Sequence, residues 1–167
     1  MSVKDFVQQR RDDFIAMRRD FHMYPEPAWL EYRSASKVAE KLISLGYDVA
    51  LGADVLDLDS RMGLPSEEVM KAAMARAMDE GADPELVEKM GYGKTAIVAT
   101  MKFSDDGPVV AFRADMDSND VIESKASNHI PAKNGFRSRH EKAMHACGHD
   151  THMTMGLGLA EYIATHK

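Results

Sequence analysis

Two β-rich runs joined by a short acidic turn constrain the fold of this 167-residue chain more than any other feature. The runs "TAIVATMKF" and "PVVAF" are separated by "SDDG", and aspartate and glycine favour tight turns. The pattern predicts that residues 95–103 and 108–113 pair as an antiparallel hairpin. A further short strand is predicted near Asp48–Leu51, after a stretch of helical spacing.

Apolar residues at helical spacing predict helices on both sides of these strands. A capping pattern at Ser2 and Asp5 opens a first helix that we expect to run unbroken to Tyr24. A second helix is predicted before Gly46, and a last helix follows residue 149. The apolar stripes of these two helices are Ala35, Val38, Ala39, Leu42 and Leu45, and Met153, Gly156, Leu157, Ala160 and Ile163.

Residues 61–93 are interpreted as a helical insertion. Ser66 and Asp83 are suitable N-caps, and Pro84 suits a first helical position, so the spacing predicts two helices. The first would carry an apolar stripe of Met70, Ala73, Met74, Ala77 and Met78. Packing of this stripe within the chain is favoured over a partner-binding surface, although methionine surfaces adapt to partners.

Charge and hydropathy exclude several functions. A net charge of -6 without basic clusters argues against nucleic-acid binding. The apolar runs are far shorter than the roughly 18 residues that span a bilayer, and the amino terminus is too polar for a secretory signal. A cytoplasmic protein without membrane contact is therefore expected.

The decapeptide "MHACGHDTHM", Met144–Met153, holds three histidines, an aspartate and the single cysteine. His145, Cys147 and His149 alternate, so in an extended segment they would point to one side. Thiolate and imidazole are good ligands for zinc, and Gly148 would let both reach one ion. The set is incomplete for zinc, so an unligated loop and an oxidisable thiol remain alternatives.

A second acidic pair lies at the end of a predicted strand. Asp115 and Asp117 are two residues apart, on one side of an extended chain. Three roles are open for this pair: direct ligation of a metal, orientation of its ligands, or no role beyond that of solvated acids in a loop.

Four segments of the chain resemble the metal-dependent amidohydrolases that include carboxypeptidase G, aminoacylases and indole-acetyl-amino-acid hydrolases. "HACGHD" is the most specific of them, and a His-x-x-Pro-Glu pattern at His22, Pro25 and Glu26 supports it. The remaining segments are "TAIVAT" and "AFRADMDS". The resemblance implies a three-layer α/β/α zinc-peptidase-like catalytic domain, of which residues 1–167 form an incomplete N-terminal portion without the lid and dimerisation domain.

The resemblance also implies a site for zinc or manganese. Cys147 and His149 match the metal ligands of this branch, and Asp117 matches the aspartate that orients them. Asp115 stands where other branches place a histidine ligand, so it either touches the metal or supports it.

Two further residues of the motif, Asp150 and His152, are expected to support the ligands from behind. The implied reaction is hydrolysis of the amide bond of an N-acyl amino acid such as aminobenzoyl-glutamate. Relatives take the general base from a Glu-Glu pair downstream of the "HACGHD" helix, and the present sequence ends at Lys167 before that point, so we expect it to be inactive alone. The alternative is a non-catalytic module that binds metal, a partner subunit or a second copy of itself.

Overall fold

The computed structural model describes residues 1–166, which form two compact units of mixed helix and small sheet. The first unit comprises residues 1–25 and 102–166, and the second comprises Glu26–Met101. Across these residues, no helix combines the length and apolar character needed to cross a membrane. The helices are α1 (Val3–Gln9), α2 (Arg11–Met23), α3 (Tyr32–Ser44), α4 (Glu67–Asp79), α5 (Pro84–Met90), α6 (Ile130–Lys133) and α7 (His149–Thr165).

The second unit contains a two-stranded antiparallel sheet. Strand β1 (Asp48–Leu51) pairs with β2 (Ile97–Thr100), with Asp48 opposite Thr100 and Leu51 opposite Ile97. Helix α3 contacts both strands. The second predicted helix and the strand after it are thus confirmed.

The predicted hairpin is wrong. Strand β2 lies inside the first β-rich run, but its partner is β1, and residues 108–113 form no strand. Helix α3 covers β1 and β2 together, so packing consolidates their pairing. Residues 108–113 have no such cover, and Val109 is 99% exposed. Their β propensity and the turn before them therefore do not suffice to form a strand.

The predicted first helix is in fact two helices, because the helical conformation is interrupted at Arg10. Ser2 caps α1 as predicted, and its Oγ accepts a hydrogen bond from the Asp5 amide at 3.2 Å. Phe6 is buried on the α1 side of the break. The Arg10 guanidinium lies 2.8 Å from the Glu161 carboxylate on α7. The break thus lets α1 and α2 both pack against α7.

The last helix is confirmed, and its packing against α2 forms the core of the first unit. Met153, Leu157 and Ala160 are buried, as the spacing predicted. At Gly158 the helices approach closely, since a Cβ there would lie 3.2 Å from the Phe14 ring.

Two helices lie where the spacing within residues 61–93 predicted them. Ser66 accepts from the Val69 amide, and Asp83 accepts from the Glu85 amide at 2.8 Å. Helices α4 and α5 pack on each other and on α3. From the predicted stripe Met70, Ala73 and Ala77 are buried. Packing within the unit therefore accounts for this face, while the interpretation of residues 61–93 as an insertion stays a prediction.

Two buried glutamates lie at the start of α3. Glu26, fully buried, accepts hydrogen bonds from the amides of Arg33 at 2.9 Å and Ser34 at 2.7 Å. Glu31 accepts from the Thr95 hydroxyl at 2.6 Å. Burial raises the pKa of Glu31 to about 7, although the Thr95 bond opposes the shift.

We expect Glu31 to make folding pH-dependent. Its folded pKa lies above its unfolded value, so its protonated form stabilises the fold at low pH, and this stabilisation is lost as pH rises towards 7. Glu31→Gln should remove this loss and raise the free energy of unfolding by roughly 1–3 kcal/mol at about pH 8. Urea unfolding at about pH 5 and about pH 8 measures the difference. Glu67→Gln, at an exposed position, is the matched control, and an unchanged pH slope in Glu31→Gln would contradict the assignment.

Candidate metal centre

The start of α7 brings two histidines to one face. Gly148, the residue before the helix, has a φ of 83°, which glycine adopts without strain. His149 and His152 follow three residues apart, so they are neighbours on the helix surface. Their rings stack with centroids 5.0 Å apart.

Asp117 fixes the orientation of His149. The Nδ1 atom of His149 lies 2.9 Å from the Asp117 Oδ1 atom and 2.9 Å from the Asp117 carbonyl oxygen. An Nδ1–H that donates to these oxygens leaves Nε2 unprotonated and able to bind a metal. This contact between Asp117 and His149 is consistent with the expectation that Asp117 orients a metal ligand, which stays a prediction.

Asp115 lies on the other side of the two imidazoles. Its Oδ2 atom is 3.4 Å from His152 Nδ1 and 3.9 Å from His149 Nε2. Its Oδ1 atom accepts two contacts from the Arg113 guanidinium, both at 2.8 Å. The hydrogen bond from Arg113 is the main cause that lowers the pKa of Asp115, so the carboxylate is ionised at neutral pH.

Within residues 1–166, possible ligand atoms of Asp115, His149 and His152 lie within 4.8 Å of one another. One carboxylate oxygen and two imidazole nitrogens form a donor set that zinc and manganese both accept. All three side chains are partly exposed, so an ion can reach them. His152, which was expected behind the ligands, lies within this group of possible ligands.

Cys147 lies beside this group. Its thiol is exposed, and Sγ is 3.6 Å from the Asp117 carbonyl oxygen, which His149 also contacts. The thiol and the His149 imidazole therefore meet at one backbone atom.

The backbone at His145, Cys147 and His149 is not the extended segment in which their side chains would point to one side. The extended backbone ends at Met144, which pairs with Asn119 in an isolated bridge. From His145 the chain turns, because the Gly148 amide donates to the His145 carbonyl. His145 is buried, its ring nitrogens find no hydrogen-bond partner within residues 1–166, and burial lowers its pKa to about 4.

Asp150 faces the interior rather than His149. It is fully buried, and its Oδ2 atom lies 2.7 Å from His22 Nδ1 and 3.0 Å from the Arg18 guanidinium. Asp150 therefore does not contact the His149 ring, whose Nδ1 atom lies against Asp117, and its expected support of the ligands stays a prediction. His149 occupies the helix surface next to Asp117, out of reach of an inward carboxylate.

Sequence reasoning missed Glu123, which lies on the far side of His22. Its Oε1 atom is 3.0 Å from His22 Nε2 and 2.8 Å from His129 Nε2. The His-x-x-Pro-Glu pattern marked His22, but residues 117–144 lack the periodicity that would have marked Glu123.

Comparison with known proteins shows what the chain is similar to. Residues 111–167 match the model of peptidase family M20/M25/M40. The chain is 44% identical, over 96% of its length, to indole-3-acetyl-aspartic acid hydrolase of Enterobacter agglomerans, and covers 37% of that protein. It is 45% identical, over 95% of its length, to a p-aminobenzoyl-glutamate hydrolase subunit of Escherichia coli K12, and covers 36% of it.

A solved structure gives the same result. The chain superposes on the crystal structure of an aminobenzoyl-glutamate utilization protein from Klebsiella pneumoniae with a TM-score of 0.79 and 36% identity. This match covers 99% of the chain and 35% of that protein. Residues 111–167 thus carry the features of peptidase family M20/M25/M40, and the chain spans little more than a third of the curated relatives named above.

We expect Asp115 and His152 to contribute to metal affinity. Asp115→Asn and His152→Ala should each weaken zinc binding about 10-fold or more, because each removes a ligand or the charge that attracts the ion. Isothermal titration with zinc chloride measures the dissociation constants. Asp120→Asn is the matched control, since Asp120 is an exposed acid of the same loop outside the group. Equal weakening by all three variants would indicate general charge attraction instead of a site.

Proposed function

We propose that this chain supplies a zinc or manganese site to an enzyme that hydrolyses the amide bond of an N-acyl amino acid. The observation that carries the proposal is the placement of His149 between Asp117 and Asp115. The names of the relatives support the substrate class, since they hydrolyse indole-acetyl-aspartate and aminobenzoyl-glutamate. Aminobenzoyl-glutamate is the substrate that we propose to test first.

The side chains of the centre have separable roles in this proposal. Asp117 holds the His149 tautomer that leaves Nε2 available. Arg113 keeps Asp115 ionised and directs its second oxygen towards the histidines. A bound divalent ion would polarise the substrate carbonyl and acidify a water molecule. These residues would hold that ion without themselves removing a proton from water.

Cys147 is proposed as a further ligand. The family resemblance assigns it this role, and its exposed thiol lies next to the Asp117 carbonyl that His149 contacts. Thiolate and imidazole together favour zinc over the harder manganese ion.

The remainder of the catalytic apparatus is proposed to come from sequence of the kind that relatives carry beyond the matched 36–37% of their length. The general base and the full three-layer α/β/α domain belong to that part of the proposal. We accordingly propose that this chain binds metal but does not turn over substrate alone.

We expect no hydrolysis of aminobenzoyl-glutamate by the purified chain with zinc or manganese, because a metal site without a general base loses most of its rate. Cobalt(II) should nevertheless bind and give a thiolate charge-transfer band that Cys147→Ser removes. Release of aminobenzoate and near-ultraviolet absorption are the two measurements. Turnover that Cys147→Ala abolishes would contradict the need for further sequence.

A second candidate function is association with a partner subunit or a second copy. The specific observation is the apolar run before Arg113, in which Val109 is 99%, Val110 66% and Phe112 69% exposed. The Escherichia coli relative is itself named as a subunit of a hydrolase.

We expect this exposed run to promote self-association, since apolar side chains without cover bind to one another. The double substitution Val109→Lys and Phe112→Lys should shift the chain towards monomer in sedimentation equilibrium without lowering its thermal stability. Val69→Lys, at another exposed valine, is the control. A wild-type chain that is monomeric and binds no hydrophobic dye would exclude this candidate.

A further inference from the structure

A cluster of ionisable side chains lies buried beneath the metal centre, and the proposed function leaves it without a role. We call it the His22 cluster, and it consists of His22, Asp150 and Glu123. These residues are 2%, 0% and 1% exposed, respectively. Burying three such groups is costly unless each is paired, so their contacts define what the cluster does.

His22 lies between two carboxylates. Its Nδ1 atom is 2.7 Å from Asp150 Oδ2, and its Nε2 atom is 3.0 Å from Glu123 Oε1. An ionised carboxylate only accepts hydrogen bonds, so both ring nitrogens donate and the imidazole is protonated. Burial, the largest influence, lowers the pKa of His22, but the bonds to Asp150 and Glu123 outweigh it and raise the pKa. Arg18 balances the second negative charge from 3.0 Å.

Glu123 is fixed independently of His22. Its Oε2 atom accepts from the Ser138 amide at 2.5 Å, and its Oε1 atom lies 2.8 Å from His129 Nε2. The Arg137 guanidinium donates to its backbone carbonyl at 2.9 Å. His22, which α2 carries, is therefore held from one side by a well-anchored carboxylate.

On the other side, His22 holds the first turn of α7. The residue before this helix is Gly148, which has no side chain that could cap it. Asp150 takes over part of this role, because its Oδ1 atom accepts from the Thr151 amide at 2.7 Å while Oδ2 faces His22. Asp150 directly follows His149 and stands two residues before His152. The direction of the Asp150 side chain therefore fixes the rotation of the turn that carries both histidines.

We propose that His22 is a positioning residue of the metal centre: its bond to Asp150 sets the orientation of the first turn of α7 and thereby the approach of His149 and His152 to Asp115. The consequence for metal binding rests on the proposed function. The orientation of the turn does not, and it can be measured without metal.

Two substitutions of His22 separate its two bonds. In His22→Asn the amide nitrogen takes the place of Nδ1 and keeps a donor for Asp150. In His22→Gln it takes the place of Nε2 and keeps a donor for Glu123. We expect amide hydrogen exchange at residues 150–154 of the metal-free chain to be about 10-fold faster in His22→Gln and within about 3-fold of wild type in His22→Asn. The zinc dissociation constant should rise about 10-fold or more in His22→Gln only.

Two further variants, Asp150→Asn and His129→Asn, serve as a second test of the bond and as a control. Asp150→Asn weakens the same bond from the other partner, so it should speed exchange in the same residues even if His22→Gln does not fold. The His129 side chain bonds to Glu123, at the far end of the cluster from Asp150, so His129→Asn should leave exchange at residues 150–154 unchanged.

Each outcome decides the proposal. Equal effects of His22→Asn and His22→Gln would show that His22 only fills space, and wild-type exchange in Asp150→Asn would show that the bond does not hold the turn; either overturns it. If the exchange pattern is found but the wild-type chain takes up no zinc, the positioning role stands and the proposed function fails. If zinc binds equally well to all folded variants, the positioning role is wrong and the metal site stands.

Discussion

The buried contact between His22 and Asp150 is the interaction on which the rest of the first unit depends. Two carboxylates and an imidazolium share a space that solvent does not reach, and the Arg18 guanidinium, on a side chain that is 33% exposed, contacts Asp150. Removing one partner from such a group leaves an uncompensated charge and costs about 3–5 kcal/mol. Three segments distant in sequence are held together by this requirement: α2, the loop at Glu123, and the start of α7.

The first turn of α7 uses its helical geometry to serve two environments at once. Consecutive residues on a helix diverge, so His149 and Asp150 point to different sides. One side meets Asp117 and Asp115, where partial exposure admits an ion, and the other meets His22 in the interior. A short polar motif can therefore supply metal ligands and anchor its own backbone.

The sequence predicted those elements whose formation depends on nearby residues, namely most of the helices. The stripes of α3, α4 and α7 are periodic, and their ends carry caps or glycines, so these helices were predictable. The pairing of β2 with β1 was not, because β propensity does not identify a partner. The motif located Asp115, Asp117 and His149. The contacts of His22 with Glu123 and Asp150 could not be predicted, because these partners lie 101 and 128 residues away in the sequence and no local pattern indicates such a contact.

The two sides of the metal centre differ in how firmly they are held. His149 and His152 belong to a helix that packs against α2 and is anchored through Asp150. Asp115 follows an exposed apolar run, and its neighbours hold it in place: Ala114 lies close to Gly156 on α7, Ser118 is buried and Asn119 pairs with Met144. If the proposed site takes up an ion, the segment next to the exposed run would lose conformational entropy, and this loss would reduce the affinity. Cover over residues 108–112 would reduce this cost, so packing of the apolar run and strength of the proposed site would be physically coupled.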